Sequence, residues 1–330
     1  MAFRLKLGKQ SNISLIIKDH VIRLAEVKSH GDLQIQRLEE RFIPGGLIKE
    51  GRIQDSETLI AILEECVNEW KLKNKQVTFL VPDPFIVMRK IAIPADVHED
   101  ELKGYLFMEV GATIHLPFED PIFDYYLLPQ QNNERKEVLL FAAPESVVSE
   151  YTDILEEVKL KPAAADLSAL SIYRLYHKLD MASSDENLML VQYDLTTVNV
   201  SIFENHIPII MRHLKLDLDA SQWDNVKAEN GGRKLHYSGS ANDVGSSLMD
   251  SYKEIDRVRD YYQFSLTQGK KKITKMVVDG DHPYLEDIFK EMKDRYSVPV
   301  FTLKNDVIDK GHAADLASFY LNIGLALKEV

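Results

Sequence analysis

Apolar and polar positions first alternate with a period of two. In NISLIIKDHVIRLAEVK, two apolar-rich runs flank Lys18-Asp19-His20, the pattern of a strand, a tight turn and a returning strand. LQIQRLEERFIP, with Leu33 and Ile35 alternating and Leu38 further along, predicts a third strand. The period then lengthens. Leu59, Ile62, Leu63, Cys66 and Trp70 recur at helical spacing, and the predicted helix runs from about Asp55 to Lys71 with Asp55 or Ser56 as its N-cap. QVTFLVPDPF reads as a short buried strand closed by Pro82 and Pro84.

Residues 88–161 predict a strand (MRKIAIP), a helix over 99–114, two strands (IFDYYLLPQ and EVLLFAAP) joined by a polar QNNERK turn, and a helix (ESVVSEYTDILEEVKL). KPAAADLSALSIYRLYHKL predicts a helix with a small-residue start, and DMASSDEN a hinge. Three consecutive strands follow in NLMLVQYDLTTVNVSIFENHIPIIMRHL. The Gly- and Asn-rich NGGRKLHYSGSANDVG predicts a mobile segment, and a polar helix covers about Val244–Thr267 with Ile255, Val258 and Tyr262 inward. A strand (KMVVDG), a helix (PYLEDIFKEMKDRY), a strand (VPVFTL) and a last helix (DLASFYLNIGLALKE) complete the chain. SLIIKDHVIRLAEV and LVQYDLTTVNVSIF are both strand–turn–strand units opening an α/β segment, which suggests a duplicated architecture.

At 330 residues the chain predicts two domains or lobes. A net charge of -12 argues against a general nucleic-acid binder, since phosphate neutralisation needs a basic face. The single cysteine, Cys66, excludes a disulfide framework, and its helical setting makes it a core residue. No apolar run has the length of a membrane span, and the basic start (Arg4, Lys6, Lys9) lacks the apolar stretch of a signal peptide, so a cytoplasmic protein is expected. No Gly-x-Ser-x-Gly or P-loop occurs, and the histidines show no ligand-like spacing. DGDH offers Asp279, Asp281 and His282 as metal ligands, or simply a turn. Asp194-Leu195-Thr196-Thr197 likewise admits two readings. An acid after a buried strand, followed by hydroxyl residues, suits a phosphate with its metal ion, and it equally suits an ordinary hairpin.

IAIPADVHEDELKGYLFMEVGATIHLPFEDPIFDYYLL, with its proline-ended strand, acidic helix start, Pro-Phe and Asp-Tyr strand, resembles the PilM family of type IV pilus assembly proteins, itself similar to the division protein FtsA. EVLLFAAPESVVSEYTDILEEVKLKPAAADLSALSIYR, EIDRVRDYYQFS and LNIGLALKE extend the resemblance over the whole chain in order. It implies an α/β, actin-like (ribonuclease H-like duplicated) two-lobe fold with a small inserted α/β subdomain. The expected division is a first-lobe core of 1–88, 162–184 and 312–330, an inserted subdomain of 89–161, a second-lobe core of 185–224 and 270–311, and a second-lobe subdomain of 225–269.

ATP-binding relatives grip phosphates with turns that begin Asp-Ile/Leu-Gly, where the acid holds magnesium water and glycine lets backbone N–H groups approach phosphate. Here the first acid falls on Ile16 and its glycine on Lys18. Asp194 survives, but its glycine is Thr196, and Gly280 is flanked by Asp279 and Asp281, which would repel phosphate. The site is therefore expected to be degenerate, with no cofactor, no metal and no catalysis. Magnesium-ATP, as in an actin-like switch or filament, is the disfavoured alternative. By resemblance the partner is the cytoplasmic N-terminal tail of a PilN-type single-span inner-membrane protein, seated between the first-lobe core and the inserted subdomain. Leu102, Leu106, Met108 and Val110 are candidates for that groove. The protein would then be cytoplasmic, peripheral to the inner face of the membrane through its partner alone.

Overall fold

The structure is a computed structural model that describes residues 12–28, 33–129, 136–227, 233–303 and 316–329. The basic start, most of the QNNERK turn and Gly231-Gly232 lie outside these residues.

The opening alternation becomes an antiparallel hairpin of β1 (Asn12–Ile17) and β2 (Val21–Lys28), continued by β3 (Gln34–Phe42). The Lys18 amide donates to the Val21 carbonyl (2.9 Å), closing the turn at Asp19-His20. A short ladder of β4 (Ile48–Lys49) and β5 (Arg52–Ile53) leads into α1 (Ser56–Glu69), whose N-cap Asp55 accepts from the Thr58 amide (3.0 Å). The next strand, β6 (Gln76–Leu80), lies parallel to β1.

The chain then leaves this sheet. β7 (Val87–Ala92), α2 (Leu102–Glu109), β8 (Pro121–Leu127) and β9 (Glu137–Pro144) form a separate three-stranded sheet, order β7-β9-β8, with its own core of Ile93, Leu102, Leu106, Ile114, Val138 and Leu140. The following helix, α3 (Glu145–Glu157), does not belong to it. Val147, Tyr151, Ile154 and Leu155 pack with α1, β1 and β6, so the subdomain ends near Pro144 rather than at 161. Residues expected to start a helix instead form β10 (Lys161–Asp166), parallel to β6, before α4 (Ser168–Lys178) begins. Small residues at 163–165 suit an edge strand beside a helix as well as they suit helix packing, so sequence did not separate the two. The predicted 99–114 helix is also shorter: the α-helix stops at Glu109, and Gly111 adopts a positive φ in the turn that follows.

The second lobe repeats the first. β11 (Asn187–Tyr193), β12 (Thr197–Glu204) and β13 (Ile207–Lys215) form an antiparallel meander. A hairpin of β14 (Trp223–Lys227) and β15 (Arg233–Tyr237) follows, then the long α5 (Ala241–Asp260) ending in a π-helical turn at Tyr261–Leu266. Ile255, Val258 and Tyr262 point inward as predicted, while Arg257 lies exposed. Because α5 buries its apolar face in the same core as β11, β12 and the next strand, 225–269 has no separate core, contrary to the expected division. β16 (Lys275–Gly280), α6 (Leu285–Arg295) and β17 (Val300–Phe301) complete this lobe, and α7 (Tyr320–Ala326) crosses back to pack on β1, β2 and α4.

The two sheets have matching orders, β10-β6-β1-β2-β3 and β17-β16-β11-β12-β13, each a meander plus two parallel strands. This is the duplicated architecture anticipated from the two hairpins. Between them α4 and α7 carry a shared core in which Ile172, Leu175 and Ile323 of one side meet Leu188, Leu190, Phe203 and Val277 of the other. Tyr173 stacks on Phe203 with ring centroids 4.0 Å apart. The helices cross closely because residue 324 is glycine: a Cβ there would lie 2.0 Å from the Ser171 carbonyl oxygen.

Candidate functional site

Strand ends from both lobes converge on one cleft. It is lined by the β1–β2 turn (Lys18, Asp19, His20), the β11–β12 turn (Asp194 to Thr197), the end of β16 (Asp279 to Asp281), and Asp83 with Ser168. Its free volume is about 100 Å³, enough for a few waters and below the ~300–1,000 Å³ of small-molecule sites.

The geometry follows from short turns at the ends of buried strands. Ile16 is buried in the shared core and offers no oxygen to the cleft. Asp19, one residue past Lys18, turns away as its place in the turn requires. Its carboxylate accepts from the Glu50 (2.6 Å) and Gly51 (3.0 Å) amides and pins the β4–β5 turn. Lys18 is not left to solvent. Its ammonium sits 2.8 Å from Asp194 Oδ2 and 2.6 Å from Asp281 Oδ2. Arg23, directly across the ladder from Ile16, takes the other Asp281 oxygen (2.6 Å), and its Nε donates to Glu40 (2.6 Å). Sequence reasoning missed Arg23 because a single arginine alternating into a strand carries no motif.

Burial alone would lower the Lys18 ammonium, but the Asp194 and Asp281 carboxylates outweigh it and hold its pKa above the ordinary value. Burial likewise works to raise Asp281, and Arg23 with Lys18 reverse this and hold it well below the usual carboxylate range. Asp194 is lowered in the same way, Lys18 prevailing over burial. Two other acids lack such partners. Burial pushes Asp279 up to about 7, with Asp281 adding to the effect, and Asp83 up to about 6 against its hydrogen bonds from Ser168 Oγ (2.6 Å) and Asn199 Nδ2 (2.7 Å). His20, buried between these charges, is lowered to about 4 and is neutral at pH 7.

Gly280 is retained for the backbone's sake. It adopts φ +132°, and a Cβ would fall 1.9 Å from the Tyr193 carbonyl oxygen. The two amides that follow, of Asp281 and His282, both donate to that carbonyl (2.9 and 3.2 Å), so they are directed at protein rather than into the cleft. The Asp194–Thr197 turn is closed by its own backbone, the Asp194 amide donating to the Thr197 carbonyl (2.8 Å), and Thr196 turns its carbonyl to the Leu216 amide. Both readings of that turn were incomplete: it is a plain hairpin in its backbone, while its carboxylate grips a lysine of the other lobe. The DGDH residues do not converge. His282 packs among Tyr193, Trp223 and Tyr284. Instead His20, Asp194 and Asp281 come together from three turns, with ligating atoms within 4.8 Å of one another.

The groove candidates divide by helix face. Leu102 and Leu106 are sealed in the subdomain core, while Val110 is partly buried against it. They share a face at a spacing of four residues. Met108 lies on the other face, 68% exposed, beside Phe107 at 76%. No helix among the described residues is long and apolar enough to cross a membrane.

A family model described as type IV pilus assembly protein PilM matches residues 15–330. Among solved structures, a PilM-PilN type IV pilus biogenesis complex is similar with a TM-score of 0.76 at 18% identity, covering 97% of this chain and 98% of that one. The ethanolamine utilization protein EutJ of Carboxydothermus hydrogenoformans matches with a TM-score of 0.50 at 10% identity, covering 97% and 90%. A Bacteroides thetaiotaomicron protein with an actin-like ATPase fold matches at 0.48 and 10% identity, covering 99% and 100%. The duplicated two-lobe fold, with its two matching five-stranded sheets, is actin-like.

Proposed function

The chain belongs to the type IV pilus assembly protein PilM family, and on that premise we propose that it is a non-catalytic actin-like scaffold. It would sit at the inner face of the cell membrane, held there by the cytoplasmic N-terminal tail of a PilN-type single-span protein. The observation that carries the non-catalytic reading is the charge arrangement of the cleft. Lys18 and Arg23 already neutralise Asp194 and Asp281, so neither of these carboxylates is free for a magnesium ion. A triphosphate would in turn meet a turn whose amides are taken by Tyr193. The net charge of -12 supports the absence of a nucleic-acid partner.

The similarity to a PilM-PilN complex over nearly the whole chain supports the partner. An extended tail laid between the first-lobe core and the inserted subdomain would bind through backbone hydrogen bonds and apolar contacts. The subdomain leaves Phe107, Met108, Ile122 and Tyr126 exposed, the last two on its edge strand β8. Calorimetric titration of the intact chain with a synthetic PilN-type tail peptide should show saturable binding with 1:1 stoichiometry, weakened when Phe107 and Met108 are both replaced by Asp. Absence of binding by the unaltered chain would overturn the scaffold reading.

A further inference from the structure

We propose that Lys18 is the resident cation of the cleft: its ammonium fills a cation site built by Asp194, Asp281 and His20, and so ties the two lobes together without metal or nucleotide. The proposal rests on the cleft being nucleotide-free, and not on the identity of the partner.

The site is assembled from three separate turns. Asp194 follows β11, Asp281 follows β16, and His20 sits in the β1–β2 turn, yet their ligating atoms lie within 4.8 Å of one another. One carboxylate oxygen from each aspartate and a ring nitrogen are the donor set of a small divalent cation such as Mn²⁺ or Zn²⁺. A second observation points to the same place. His20 is 9% exposed, and its Nε2 has no hydrogen-bond partner, although it lies 3.9 Å from Asp281 Oδ2. A buried ring nitrogen without a partner is costly in an ordinary core and is expected where a ligand position has been kept.

What stands at that position is Lys18 Nζ, at 2.8 and 2.6 Å from the two carboxylates. These are lengths of charge-assisted hydrogen bonds, longer than the ~2.0–2.2 Å of metal–oxygen contacts. The ammonium satisfies the two carboxylates and leaves His20 Nε2, 3.9 Å from Asp281 Oδ2, without a hydrogen-bond partner. The substitution has a mechanical consequence. Lys18 and Arg23 belong to the first lobe, and Asp194 and Asp281 to the second, so Asp281 is clamped by first-lobe cations on both oxygens. Asp83 with Asn199 (2.7 Å) and Glu50 with Lys215 add bonds across the same cleft.

The test is Lys18→Met in the full chain, which removes the charge and keeps an unbranched stem. Mn²⁺ is titrated into both proteins and free Mn²⁺ is read by electron paramagnetic resonance. Lobe separation is read by pulsed dipolar spectroscopy between spin labels on exposed sites of each lobe in a Cys66→Ser background. The variant should bind one Mn²⁺ per chain at least tenfold more tightly than the unaltered protein, and adding His20→Ala should abolish the gain. In EDTA its interlobe distances should broaden, and Mn²⁺ should narrow them again. The unaltered protein should show one narrow distribution, indifferent to EDTA and Mn²⁺. Equal Mn²⁺ affinity in the two proteins would overturn the proposal, as would a Lys18→Met chain that stays narrow in EDTA. If Lys18→Met folds only with Mn²⁺ present, the proposal is supported; if it folds in neither condition, Lys18→Gln is held to the same outcomes. Neither nucleotide nor peptide is present, so failure here leaves the partner reading standing.

Discussion

At the scale of single residues, the cleft holds carboxylates in opposite electrostatic states. Asp281 meets two cations and ionises readily, whereas Asp83 meets only neutral donors and is pushed up to about 6. A carboxylate whose folded pKa is raised costs stability once the pH exceeds its unfolded value, because the unfolded chain then ionises more easily. Asp83→Asn should therefore stabilise the protein at pH 7.5, by at most about 3 kcal/mol for a shift of this size. The gain should shrink as pH falls from 6 toward 4 and vanish below the unfolded pKa, where the carboxyl is protonated in both states. The asparagine keeps both contacts, its oxygen accepting from Asn199 and its amide donating to Ser168 Oγ. Thermal melts of both proteins at pH 7.5 and 4.5 check this, and a gain independent of pH would refute the assignment. Gly280→Ala is the opposite case. Its methyl collides with the Tyr193 carbonyl in a backbone region hostile to side chains, and a loss of several kcal/mol, on the order of the severest single substitutions, should appear in denaturant titration.

At the scale of elements, the inserted subdomain has a core of its own, and α2 is its lid. Leu106 is fully buried against Leu102, Val138 and Leu140. Leu106→Ala should cost about 2–5 kcal/mol, concentrated in the subdomain. Hydrogen exchange should accelerate across β7, α2, β8 and β9 while α4 and α7 keep their protection. Uniform acceleration through both lobes would show that the subdomain has no independent stability. Asp55→Ala removes the cap of α1 and should cost about 1 kcal/mol, seen as earlier fraying of that helix.

At the scale of the whole molecule, the core around α4 and α7 is shared by both lobes, so they should unfold as one cooperative unit. Each lobe holds one tryptophan, Trp70 and Trp223. In the single-tryptophan variants Trp70→Phe and Trp223→Phe, the denaturant midpoints of the fluorescence and of the helical circular dichroism should coincide within each variant. Two separated midpoints would mean the lobes unfold independently. The ion pairs across the cleft also predict that millimolar Mg-ATP gives no rise in melting temperature, whereas a ligand at a hundred times its dissociation constant would add about 2.7 kcal/mol. A clear rise would promote the ATP-switch reading.

The sequence by itself determined what depends on neighbours along the chain. Alternation and helical spacing predicted most of the strands, a cap at Asp55 or Ser56, the inward face of α5 and the likeness of the two hairpins, because local periodicity decides which face of an element is apolar. It also located the turns that meet in the cleft, since Lys18, Asp194 and Gly280 each follow a buried strand. Tertiary structure decided the rest. Whether small residues at 163–165 join a helix or an edge strand depended on β6 lying beside them, and whether α3 served the subdomain or the lobe depended on α1. The partner of Lys18 was likewise undecidable along the chain, because Asp194 and Asp281 lie far from it in sequence and reach it only when the second sheet docks on the first. A charge reads as solvated until folding brings its counter-charge into the same dry space, and that juxtaposition belongs to the fold alone.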